Sequence, residues 1–162
     1  MFAAERPTGT TQEIYRELFL QARGLFEAER DAIANAANLA ALLYGGLESV
    51  NWAGFYFLKV DDLVLGPFQG QPACVRVPVG RGVCGTAAQR KEAIIVPDVE
   101  KFPGHIACDT ASRSEIVVPL LKQGRIVGVL DIDSPICNRF SEEDRFGLET
   151  LAALWVESSD YS

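Results

Sequence analysis

Four stretches rich in aromatic and β-branched residues constrain this chain most: residues 52–60, 63–68, 115–121 and 126–132. They form two consecutive pairs, one joined at Asp61-Asp62 and the other at Gln123-Gly124. Connections this short close hairpins, because a parallel crossover needs roughly a dozen residues or more. The spacing therefore predicts a mostly antiparallel sheet. Val75, Val77 and Val79 alternate with small or polar residues and read as a third strand, and residues 93–96 add a short buried one. Helices flank this block. Ile14, Leu18, Leu25 and Phe26 recur at helical spacing over residues 11–29, with Gly24 a place for a bend. An alanine-rich helix over 31–43 stops at Gly45-Gly46. A short helix is expected over 86–91. Ser141, followed by Glu142 and Glu143, caps a last helix that runs to about Trp155. The expectation is an α+β fold with helices packed on one side of the sheet. It comprises a flexible arm over residues 1–10 and one domain over 11–162.

A chain of 162 residues is long enough for one well-filled core. Its apolar runs fall short of the ~18 residues a membrane helix needs. With no charged-then-apolar leader at the start, the expected location is the cytoplasm. The net charge is −7 and no basic stripe is visible, which argues against nucleic acid as a partner. Four cysteines, Cys74, Cys84, Cys108 and Cys137, are then expected to be reduced thiols rather than structural staples.

Residues 97–113 form a long connection without periodicity, and such loops in compact domains tend to be functional. This one holds the only histidine, His105, and a cysteine three residues later, Cys108, beside Asp109. A thiol reacts as its thiolate, and neighbouring carboxylates raise its pKa. Asp109 and Glu115 thus oppose simple activation, unless Arg113 or loop amides offset them or the carboxyls serve a substrate. Cys84 sits in "GRGVCGTAA", which lacks the pattern of a phosphate-binding loop and reads as a flexible segment able to bring this thiol to another. Cys74 opens the third strand, as a packed residue or a redox partner, and Cys137 reads as structural or idle. The cysteines and His105 lack zinc-site spacing, so no metal is expected. Asp131 and Asp133 flank Ile132 and so share one face of a strand, where one pKa should rise. Glu115 starts the neighbouring strand and extends that face. Trp52, at a strand entrance, is suited to wall a small-molecule pocket.

The segments "NWAGFYFL", "LVLGPFQG", "PACVRVPVGRGVCGTA", "FPGHIACDTASRSEIVVPL" and "GVLDIDSP" resemble, in this order, the motifs of the free methionine-(R)-sulfoxide reductases, small enzymes built on a GAF domain. The resemblance spans about residues 24–146. It implies that Cys108 is the catalytic cysteine, Cys84 the main resolving cysteine and Cys74 a third redox cysteine. It also implies substrate-binding roles for Glu115, Asp131, Asp133, Trp52 and Tyr56. Cys137 matches no motif cysteine. The implied activity is reduction of free methionine-(R)-sulfoxide through a sulfenic acid and an intramolecular disulfide, with electrons from thioredoxin, no bound cofactor and a homodimeric assembly. The alternatives are a GAF sensor for a small ligand such as a cyclic nucleotide, and a thiol redox switch.

Overall fold

The computed structural model describes residues 2–161. Met1 and Ser162, at the ends of the expected arm and domain, lie outside the described residues. The chain runs α1 (Thr11–Phe26), α2 (Ala32–Gly46), β1 (Trp52–Lys59), β2 (Asp62–Gly70), β3 (Arg76–Pro78), α3 (Gly82–Arg90), β4 (Ile94–Val96), β5 (Ser114–Lys122), β6 (Arg125–Ser134) and α4 (Glu142–Ser158). The strands form one six-stranded sheet in the order β3-β2-β1-β6-β5-β4. Every pairing is antiparallel. The two expected hairpins, β1–β2 and β5–β6, are therefore present. They meet along β1 and β6, which places the first and last strands of the sequence at the centre of the sheet.

Alternation along the three central strands divides the molecule into two layers. Ala53, Phe55 and Phe57 of β1, Ile116, Val118 and Leu120 of β5, and Leu130 and Ile132 of β6 face one way. There they meet α1, α2 and α4. Trp155 of α4 is fully buried against Phe55 and Phe57, with ring centroids 5.5 and 5.6 Å away. Its indole nitrogen donates to the Ala32 carbonyl at 3.2 Å, so the polar edge of this large side chain is satisfied. Both long flanking helices start with capping boxes, Thr10 with Glu13 and Ser141 with Asp144. Asp144 is itself buried, and the Tyr15 hydroxyl donates to it at 2.8 Å, which ties α1 to α4. Gly24 causes no break, because α1 continues through it.

The opposite face carries Trp52 and Tyr56 of β1, Val117 of β5 and Val129 of β6, and it is covered by α3 and the connection after β4. Three of the four helices thus pack on one side, as the patterning predicts, and α3 forms the second layer. α3 also starts four residues before its expected start at Thr86, so it includes Cys84. Gly85, next to Cys84, serves close packing, and Gly80 and Gly82 take positive φ in the turn that leads into the helix. Gly85 lies so near the Pro78 carbonyl and Gly80 that a β-carbon has no room there. Its own carbonyl accepts from the Gly80 amide at 2.8 Å.

Candidate active site

The second face builds a pocket from three adjacent strands. In register, Trp52 of β1 lies opposite Asp133 of β6, and Asp133 lies opposite Glu115 of β5. One row across the sheet thus carries an indole and two carboxyls. Asp131 stands two residues along β6, on the same face. The shared face expected for Asp131, Asp133 and Glu115 is therefore observed. The α3 helix closes the pocket with Val83 and Cys84, and the loop after β4 covers it with His105, Ile106 and Cys108.

Burial makes these acids behave unusually. Glu115 is 6% exposed, and its pKa is pushed up to about 8, first by loss of water and then by the Asp133 charge; hydrogen bonding with Asp131 and Cys84 pulls it partly back. Asp131 is shifted well upward by burial and by Glu115. Asp133 is shifted well upward by burial, Asp131 and Asp109. Among the described residues no lysine or arginine lines the pocket, so Arg113 does not offset this acidity. The one basic side chain there is His105, whose Nε2 lies 3.7 Å from a Glu115 oxygen and whose pKa burial lowers. Burial and mutual repulsion thus favour the protonated form of the pocket carboxyls, Glu115 among them.

The thiols are arranged differently from the expectation. Cys108 is bonded to Cys74, with Cα atoms 5.4 Å apart, and not to Cys84. Cys84 is a free thiol, buried at 7% exposure in the first turn of α3. Its Sγ lies 3.9 Å from Glu115 Oε1, and burial, Asp131 and Glu115 hold its pKa well above the usual thiol value. A helix fixes Cys84 under the sheet, whereas Cys74 and Cys108 sit in two connections that face each other. That is why the long-range pair forms between the latter. Cys84, Glu115 and Asp131 present ligand atoms within 4.8 Å of one another. Cys137 lies apart, half-buried beside Pro97 and Asn138.

Two features went unread in the sequence. Trp52 and Tyr56 do more than wall the pocket. Trp52 Nε1 donates to the Gln71 carbonyl at 3.1 Å and the Tyr56 hydroxyl donates to the Cys74 carbonyl at 2.8 Å, so together they pin the connection that carries Cys74. Asn51 does the same for the Cys108 loop. Its Nδ2 donates to Asp109 Oδ2 at 3.3 Å and to Ser112 Oγ at 3.2 Å, while its backbone amide donates to the Asp133 carbonyl at 3.0 Å. The only sequence signal for Asn51 is a polar residue immediately before an aromatic strand.

A family profile for the GAF domain matches residues 10–155. Protein YtsP of Bacillus subtilis is 58% identical over 154 residues, covering 94% of this chain and 94% of that protein. The free methionine-R-sulfoxide reductase of Escherichia coli is 55% identical over 141 residues, covering 87% of this chain and 86% of that protein. The X-ray structure of free methionine-R-sulfoxide reductase from Neisseria meningitidis in complex with its substrate superimposes with a TM-score of 0.94 at 43% identity, over 98% of this chain and 95% of that one.

Proposed function

This chain belongs to the free methionine-R-sulfoxide reductase family of GAF domains, and on that premise we propose that it reduces free methionine-(R)-sulfoxide to methionine. The observation that carries the reading is the Cys74–Cys108 disulfide at the edge of an acid-lined pocket. Such a bond is what the resolving step of this reaction forms.

The chemistry follows from the placement of the groups. Cys108 attacks the electrophilic sulfoxide sulfur. The oxygen leaves only if it gains a proton, and the neutral Glu115 carboxylic acid supplies one. The net step moves the oxygen to Cys108, whose thiol becomes a sulfenic acid, and releases methionine. The Cys74 thiol then attacks the Cys108 sulfur; water departs and the disulfide forms. In the bonded state the Cα atoms are 5.4 Å apart, within the range of a disulfide, and both cysteines lie in connections between elements of the sheet rather than in its strands. The dithiol of thioredoxin restores both thiols by exchange, which returns the two electrons without a bound cofactor. Cys74 thereby takes the resolving role that the motif resemblance gives to Cys84.

The substrate is a free amino acid with an ammonium group, and Asp131 and Asp133 suit it as counter-ions once it binds. Trp52 supplies an apolar wall. Carboxyls that would otherwise weaken the Cys108 thiolate thus serve the substrate instead. The reading includes a homodimer in the cytoplasm; among the described residues no helix is long and apolar enough to cross a membrane.

The test is NADPH oxidation coupled through thioredoxin and thioredoxin reductase. Turnover is expected with free methionine-(R)-sulfoxide and not with the S epimer or a blocked peptide analogue. No turnover of the free R form by the folded, reduced protein overturns the reading.

A further inference from the structure

Cys84 is the one pocket thiol the reaction above leaves unused, and its surroundings point to a ligand of another class. Its Sγ, a Glu115 oxygen and an Asp131 oxygen lie within 4.8 Å of one another, and all three residues are buried. Asp131 is only 6% exposed, and its Oδ1 has no hydrogen-bond partner. A buried carboxylate oxygen aimed into a pocket without a donor is costly to leave unpaired. The remaining charged neighbours are Asp133 and Asp109, both acidic, and His105, whose burial favours its neutral form. The pocket is thus built of groups that repel one another when ionised, with no lysine or arginine among the described residues lining it to offset them.

We propose that Cys84, Glu115 and Asp131 form a binding site for a zinc ion, with water completing the coordination. The donor set selects the metal class. Magnesium and calcium take oxygen ligands, whereas a thiolate beside carboxylates suits zinc. Tetrahedral bonds of about 2.3 Å to sulfur and about 2.0 Å to oxygen separate the two donors by roughly 3.5 Å. The Cys84 Sγ and Glu115 Oε1 atoms are 3.9 Å apart already, so a small rotation of either side chain meets that requirement. The Cys84 thiol and the carboxylic acids give up their protons to solvent as the dication enters. The ion occupies Glu115 and Asp131, the carboxyls the proposed reaction uses for the sulfoxide and its ammonium group, so zinc and substrate exclude one another; the site does not depend on the disulfide, since Cys84 is outside it.

The experiment reads metal binding and not turnover, so it stands or falls separately from the proposed reaction. The reduced Cys74→Ser/Cys108→Ser double variant, which keeps Cys84 and Cys137, is titrated with cadmium chloride, a spectroscopic stand-in for zinc. A thiolate-to-cadmium charge-transfer band that saturates at one equivalent and is displaced by zinc chloride is expected. Adding Cys84→Ser should remove the band, and adding Asp131→Asn should weaken binding by roughly tenfold or more. Adding Cys137→Ser should leave it intact. Absence of the band in the double variant, or a band that survives Cys84→Ser or keeps its affinity in Asp131→Asn, overturns the proposal.

Discussion

The Tyr56 hydroxyl donates a hydrogen bond of 2.8 Å to the backbone carbonyl of Cys74. Tyr56 lies on β1 in the centre of the sheet, and Cys74 lies in the connection before β3. A rigid strand thereby holds a loop thiol in place. Two loops that must bring their sulfurs together lose conformational freedom when they do so, and fixing one of them in advance reduces that loss. Tyr56→Phe keeps the ring and removes the tether. A hydrogen bond of this kind contributes on the order of 1 kcal/mol, so disulfide closure should slow roughly fivefold. Trapping of the Cys108 sulfenic acid by dimedone after one turnover checks this: trapped protein should rise in the variant. An unchanged yield would show that the tether does not limit closure.

Cys74 and Cys84 should separate cleanly in kinetics. Cys74→Ser is expected to make about one methionine per protein and then stop in the thioredoxin-coupled assay, because the sulfenic acid has no partner. Cys84→Ser is expected to keep recycling, with a loss of no more than about tenfold from its missing contact with Glu115. Product counts in single-turnover and coupled assays decide between them, and the reverse pattern would assign the resolving role to Cys84.

Glu115→Gln retains a hydrogen-bond donor but has no proton to give. Its kcat should fall by about 10²–10⁴-fold, measured with thioredoxin saturating. The same substitution should affect stability with an opposite benefit. An unfolded Glu115 ionises near 4.5 and the folded one at about 8. The folded state therefore binds the extra proton between those values, and stability falls as pH rises across that window. In metal-free buffer Glu115→Gln should match the parent near pH 4.5 and exceed it above pH 8, by a few kcal/mol at most. Denaturant midpoints at the two pH values measure the difference.

Asn51→Ala removes the side chain that joins the Cys108 loop to β1 through Asp109 and Ser112. Asn51 is only part-buried and lies outside the main core, so the fold should hold, with a thermal midpoint within a few degrees of the parent. The loop loses two bonds of about 1 kcal/mol each, and kcat/KM for the sulfoxide should drop by up to about 30-fold. A large fall in midpoint together with unchanged kcat/KM would make Asn51 a purely structural residue.

The strand pattern was legible because runs of aromatic and β-branched residues between short turns are local features. Residues 52–60 and 126–132 are such runs, and both become strands of the central sheet. The shared face of Asp131 and Asp133 follows from the two-residue period of a strand and needed no tertiary information. The loop of residues 97–113 was also marked in advance, since its lack of periodicity and its histidine, cysteine and acids stand out locally. The placement of Cys84 was not. Glycine has the same letter whether it frees a loop or admits a close contact, and only the Pro78 carbonyl packed against Gly85 shows which applies.

By itself, the sequence determined the antiparallel hairpins, the flanking helices, the acidic face and the set of residues from which a thiol site is made. Period and turn chemistry act over a few residues, so a single chain carries them openly. Only the tertiary structure decided that Cys108 bonds Cys74, that Cys84 stays a buried thiol against Glu115, and that Asn51, Trp52 and Tyr56 hold the two cysteine loops in place. Those relations join residues 18 to 61 positions apart, and they arise when the sheet brings β1, β5 and β6 side by side.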